Sequence, residues 1–163
     1  MILYHASSQI IEQPDILHSR EHLDFGKGFY LTHLKGQAEK YAQRFIRRGQ
    51  SAYIYEYELD IDLSAYKIKE FDCYDEAWLD YVSACRLGRV HENYDLISGG
   101  IADDKVFNTI DLYFAGVLNK EDTLSRLMYE KPNHQICILN QEIVSFLKLK
   151  SVVQIKKTGD GGK

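Results

Sequence analysis

The sequence predicts a mixed α+β domain, and three observations predict it. Tyr53, Tyr55, Tyr57 and Leu59 alternate with Ile54, Glu56 and Glu58, the period-two pattern of a strand. From Gly36 to Arg48 the apolar residues Ala38, Tyr41, Ala42, Phe45 and Ile46 recur at helical spacing. Short strand-like runs of this kind are interleaved with helical stretches along the chain, which is the order of an α+β architecture. The 163 residues suit one domain over 1–157, without repeat or linker, followed by a Gly-rich tail at 158–163 expected to fray. A chain of that size can bury about 70% of its unfolded surface, so one core is expected.

Each element has a local reason. MILYHA at 1–6 is a run of strand formers that ends in polar Ser7 and Ser8, which places His5 at a strand end. After Pro14, the segment Asp24 to Thr32 sets Gly26 and Gly28 ahead of the β-prone Phe29-Tyr30-Leu31, so a loop leads into a strand. The helix at 36–48 carries Lys and Arg in its last turn and Gly49 beyond it, a stop signal. Strands are expected at 52–59 and 67–71. Trp78, Tyr81, Val82 and Cys85 mark a helix over 75–87, and Tyr94–Ser98 reads as a strand running into Gly99-Gly100. Region 103–128 holds two helical pieces broken around Leu118-Asn119. A strand at 135–139, a helix at 141–148 and a strand at 151–156 complete the order.

Composition removes several function classes. The net charge of −4 argues against a large non-specific nucleic-acid surface, which needs many cations to neutralise phosphates. Arg44, Arg47 and Arg48 read as the solvated end of a helix, since cations favour helix C-termini, or else as a phosphate site. Cys73, Cys85 and Cys137 are odd in number and lack CxxC spacing, so they are expected as buried thiols in a reducing, cytoplasmic compartment. No run approaches the ~20 apolar residues of a membrane span, so no membrane is expected. His18 and His22 lie four apart with no third ligand evident, and no metal site is expected.

No GxGxxG, GxxxxGK[ST] or HExxH pattern occurs. A different set is present: Leu3-Tyr4-His5-Ala6-Ser7, then Phe25-Gly26-Lys27-Gly28-Phe29-Tyr30-Leu31-Thr32, then a helix bearing Ala38 and Tyr41. This order resembles the NAD-binding half of the ADP-ribosyltransferase clan, that of the poly-ADP-ribose polymerases and diphtheria-toxin-like enzymes. There the motifs are Leu-(Tyr/Trp)-His-Gly-(Ser/Thr) and Phe-Gly-Lys-Gly-(Ile/Phe)-Tyr. Asn133–Ile138, followed by Leu147-Lys148-Leu149-Lys150, resembles the clan's last catalytic strand and its following helix. With Tyr94-Asp95-Leu96-Ile97 and Gly100-Ile101-Ala102-Asp103-Asp104, the whole chain is most similar to a bacterial family of that clan, domain of unknown function 3990. The resemblance covers 1–46 and 93–150.

The resemblance implies an ADP-ribosyltransferase-like split β-sheet, two packed and mostly antiparallel sheets with flanking helices. It implies NAD as substrate, with a protein or nucleic-acid acceptor, and, for a toxin-like or effector-like protein, a small inhibitory protein partner. By position, His5 bonds a ribose hydroxyl on the adenosine side, the Ala6 backbone holds the carboxamide, and Tyr30 and Tyr41 sandwich the nicotinamide. Ser7, Gly26 and Gly28 belong to the same NAD-binding set. A glycine lets the backbone come close to a ligand, which gives Gly26 and Gly28 a steric rationale. Each residue also has a plainer reading: His5 as a hydrogen-bonded core histidine, Tyr41 as core on the apolar helix face, and Tyr30 as one of twelve structural tyrosines.

Two departures matter. Ala6 replaces the usual glycine, which is tolerable where its φ is negative. The third catalytic position is a glutamate in polymerising members, whereas this chain offers Asn133, His134 and Gln135. Gln135 is favoured because its amide oxygen accepts a hydrogen bond and it alternates with Cys137 on one strand face; His134 is the alternative. A neutral amide is no general base, so mono-ADP-ribosyl transfer, NAD hydrolysis or a non-catalytic NAD or ADP-ribose binding module remain, with a purely structural interaction domain as a third reading. Asp103 and Asp104 either cap the helix that follows them or, with Asn108, face an acceptor.

Overall fold

The computed structural model describes residues 1–19, 23–89 and 92–156, and the backbone alone of Asp104. His22 and the tail therefore lie outside the described residues. The element order is β1 (Ile2–Ser7), β2 (Phe29–Leu31), α1 (Lys35–Arg47), β3 (Ala52–Glu58), β4 (Ile68–Glu70), α2 (Glu76–Arg86), β5 (Leu96–Gly99), α3 (Asp104–Phe114), α4 (Lys120–Leu127), β6 (Gln135–Ile138), α5 (Gln141–Ser145) and β7 (Lys148–Ile155). The mixed class expected from the alternation of patterns is what forms: two mostly antiparallel sheets and, among the described residues, five helices. One sheet has the order β1-β3-β7, the other β2-β6-β5-β4, and only β4 and β5 run parallel.

Helix starts follow their side chains. Asp75, Asp103, Asn119 and Asn140 each accept a hydrogen bond from a backbone N–H in the first turn of the helix they precede, satisfying donors that have no intrahelical partner. Asp103 is thus a cap, as one of its two readings had it. Trp78, Leu79, Val82 and Cys85 form the buried face of α2, where truncating a large side chain costs about 2–5 kcal/mol.

Side chains alternate across the sheets and sort into two faces. On one face Ala6, Ala52 and Ile54 pack against Ala38 and Ala42 of α1, while Tyr30, Ile97 and Cys137 pack with Trp78, Val82, Val106 and Ile110 of α2 and α3. On the other, Leu3, Tyr55 and Tyr57 of the first sheet meet Phe29, Leu31, Ile136 and Ile138 of the second, closed by Ile143 and Val144 of α5. This second cluster is continuous across both sheets.

Two expectations are corrected. The helix at 141–148 stops at Ser145, and residues 148–150 belong to β7: Leu149 lies opposite Tyr57 and Lys148 opposite Glu58, with a bulge where Lys150 has no partner. Cross-strand pairing with β3 outweighs the helical reading of Leu147–Lys150. Cys73 is exposed, whereas Cys85 and Cys137 are buried. No helix among the described residues is long and apolar enough to cross a membrane.

Candidate functional site

Among the described residues, the backbones of the two sheets are joined by one isolated bridge. Tyr4 N–H donates to the Thr32 carbonyl at 2.7 Å and Thr32 N–H to the Tyr4 carbonyl at 2.9 Å. In an antiparallel ladder the N–H and C=O of every second residue point to the same neighbour. Tyr4 turns to β2, so His5 turns to β3 and Ala6 turns back toward β2; on β2, Thr32 and Tyr30 turn to β1. A continued ladder would pair Ala6 with Tyr30. The strands part instead, and the His5 imidazole enters the opening, with Nδ1 2.6 Å from the Tyr30 carbonyl. The N–H and C=O of Ala6 and the N–H of Tyr30 are left aimed into the split.

A carbonyl only accepts, so His5 carries its proton on Nδ1 and keeps a lone pair on Nε2. Burial holds its pKa below the ordinary value of 6.5, against a smaller upward pull from the Tyr30 carbonyl. The ring stacks on Phe29 at 4.5 Å, and part of the residue stays accessible. Ala6 lies in extended β1 with its methyl against the α1 cluster, so its side chain stays out of the split.

Tyr30 is on the opposite face of β2 from Phe29. Its hydroxyl donates to the Gly26 carbonyl at 2.6 Å and accepts from Phe25 N–H at 3.1 Å, fastening the Phe25–Gly28 turn to the strand that follows it. Burial pushes its pKa far above the usual phenol range. The two glycines of that turn differ. Gly26 has φ +86° with nothing within 4 Å of an added Cβ, so its need is conformational. An added Cβ at Gly28 would lie 2.5 Å from Cys137 Sγ and 2.7 Å from the Ile138 carbonyl. The close approach that the structure shows at Gly28 is therefore to β6.

Gln135 opens β6 opposite Gly99 and shares the face of Cys137 and Tyr30. The preceding residue is clamped from α1: Gln37 Nε2 donates to the His134 carbonyl at 2.6 Å, and His134 N–H donates to Gln37 Oε1 at 3.0 Å. One turn further along α1, on the same stripe, stands Tyr41, 39% exposed and with the Arg44 guanidinium 5.4 Å over its ring. The reading of Tyr41 as core is thereby corrected: Ala38 and Ala42 fill that role. His134 meets His33 ring to ring at 3.8 Å, and its Nδ1 is enclosed without a partner. Burial, then the His33 charge, lowers its pKa.

The fold brings the Ala6 backbone, Tyr30 and Gln135 to one face and the α1 stripe of Tyr41 toward the same side, while His5 reaches the split from the other face. Ser7 Oγ accepts from Gln9 N–H, and Asn108 is exposed on α3. Gln37 and Asp24 are functional candidates that sequence reasoning missed. Asp24 is buried, takes 2.7 Å bonds from Arg86 Nε and Ala102 N–H, and precedes the turn directly. A cavity of about 470 Å3 lies on the outer side of the turn, against Lys27, Tyr81 and Tyr94. On its wall Asp95 takes bonds from Asn140 Nδ2 and Lys67 N–H.

No curated protein matches this chain. Residues 1–149 match the family DUF3990, described as a protein of unknown function, and the chain belongs to that family.

Proposed function

We propose that this chain binds NAD in the split between β1 and β2 and transfers a single ADP-ribosyl group to a macromolecular acceptor, as ADP-ribosyltransferase-like proteins do. The observation that carries the reading is the pair of Ala6 backbone groups facing the opening. A nicotinamide carboxamide offers one N–H donor and one C=O acceptor side by side, the complement of one residue's C=O and N–H. Tyr41 supplies an exposed ring near the same face for stacking, worth about 0.5–1.5 kcal/mol beyond area burial. His5, neutral and with Nε2 open, suits a ribose hydroxyl, which donates to it.

The chemistry is a displacement at the nicotinamide ribose. The bond between C1′ and the pyridinium nitrogen breaks, nicotinamide leaves with the bonding pair, and an oxocarbenium-like ribose is closed by a lone pair of the acceptor. The acceptor's proton passes to solvent, because the Gln135 amide cannot take it near neutral pH. Gln135 Oε1 accepts instead from the 2′-hydroxyl beside the developing cation, an interaction that strengthens as charge appears. The same neutral amide, in place of a carboxylate, favours a second reading, a module that binds NAD or ADP-ribose without turnover.

Incubation with NAD labelled in the ADP-ribose half, with and without cell extract, separates these readings. Released nicotinamide together with a labelled protein or nucleic acid is the expected result. Binding without release assigns the non-catalytic module, and no binding at all overturns both.

A further inference from the structure

Between the two sides of the candidate site lies a charge pair of buried Asp24 and half-buried Arg86. Asp24 Oδ1 lies 2.7 Å from Arg86 Nε and 2.6 Å from Arg86 Nη2, and Asp24 Oδ2 takes the Ala102 N–H at 2.7 Å. Both guanidinium contacts converge on Oδ1, which leaves Oδ2 for the Ala102 N–H. The carboxylate thereby joins three segments: the turn at Phe25–Gly28, the last turn of α2, and the loop from Gly100 to Asp103 that leads into α3. The first is fastened to Tyr30 through its hydroxyl. The third leaves β5 directly after Gly99, the partner of Gln135, and its Ile101 N–H is held by Asn133 Oδ1 two residues before Gln135.

The rest of that loop is fixed from α2 and the segment before it. Trp78 Nε1–H donates to the Gly100 carbonyl at 2.8 Å, and the Tyr74 hydroxyl to the Ile101 carbonyl at 2.9 Å. Neither contact reaches the Phe25–Gly28 turn. Among the described residues, the Asp24 carboxylate links turn and loop by hydrogen bonds to Arg86 and Ala102.

We propose that Asp24 is a positioning residue of the candidate site: held by Arg86, it sets the spacing between the turn that anchors Tyr30 and the loop that leaves beside Gln135. The site function rests on the NAD reading above; the coupling of the two segments does not. A carboxylate this enclosed needs its cation, since removing one partner of a buried pair leaves the other charge uncompensated. Arg86 is thus the support and Asp24 the spacer.

Three variants test this. Asp24→Glu keeps the charge and adds one methylene, so the pair can persist while the spacing changes. Asp24→Asn keeps the shape and removes the charge. Arg86→Lys keeps a cation and loses the paired guanidinium contacts. Hydrogen exchange on the full chain, without ligand, is expected to speed up in both the 25–28 and the 101–106 amides of Asp24→Asn, by about tenfold or more, the scale of one lost charged hydrogen bond. Acceleration in one segment only, or in neither, overturns the coupling whatever NAD does. For the site, Asp24→Glu is expected to melt near the parent and bind NAD about tenfold more weakly, with Arg86→Lys intermediate. Parental NAD affinity in a folded Asp24→Glu overturns the positioning role. A parent that binds no NAD fails the functional reading while the exchange result still decides the coupling.

Discussion

Replacing Tyr30 by phenylalanine separates an anchoring ring from a stacking one. The phenyl ring remains available to stack, and only the hydroxyl is lost. That hydroxyl serves two backbone groups, the Gly26 carbonyl at 2.6 Å and the Phe25 N–H at 3.1 Å. Gly26 is partly accessible, so water can replace its bond and the loss there is about 1 kcal/mol. Phe25 is 1% exposed, and its stranded N–H costs roughly 1–2 kcal/mol. The sum, about 2–3 kcal/mol, lowers the melting temperature of a chain this size by roughly 4–12 °C. Thermal melting by circular dichroism reads the shift, and NAD titration beside it reads the consequence for the site. An anchor predicts earlier melting with weaker NAD binding; a stacking ring predicts parental melting and parental affinity. A Tyr30→Phe protein that melts with the parent refutes the anchoring argument.

The remaining predictions concern the same site. Gly28→Ala is expected to cost about 1–3 kcal/mol from overpacking against the Ile138 carbonyl, and Gly26→Ala about 1–2 kcal/mol from the left-handed backbone alone; a Gly28→Ala protein that melts with the parent would contradict the close approach to β6. His5 and His134 both have folded pKa values below 6.5, so the unfolded chain binds more protons as pH falls past that value. Stability is complete above it and is lost below it; melting scans from about pH 7.5 to 5 should show the fall, and His5→Gln should flatten it. Gln135→Glu should raise nicotinamide release by placing negative charge beside the cation, and Gln135→Ala should lower release more than NAD affinity. Equal release from the two variants would remove Gln135 from the reacting centre.

Much of the architecture was legible because it is local. The α2 stripe, the β3 alternation and the cap at Asp103 are set by residues within a few positions of one another, and each appears where the pattern places it. The β7 start was not, because Leu147–Lys150 also alternates in a way that only its register on β3 resolves. Asp24 was illegible for a related reason: an acid before Phe-Gly reads as loop, and the Arg86 that buries it lies 62 residues away.

The candidate site shows the same limit more sharply. Alternation correctly puts Gln135 and Cys137 on one face of β6, but nothing local relates that face to His5. The relation is set by the Tyr4–Thr32 bridge, which fixes that Tyr4, Ala6, Tyr30 and Gln135 share one face and that His5 lies behind them. With that bridge formed, the His5 ring reaches the Tyr30 carbonyl across the opening, and by strand alternation the Ala6 backbone faces the space left. His5 and Ala6 thus act as a unit, the imidazole occupying the carbonyl that the Ala6 N–H would otherwise take. Shortening His5 to alanine would free that carbonyl and let Ala6 and Tyr30 zip together, closing the split from within.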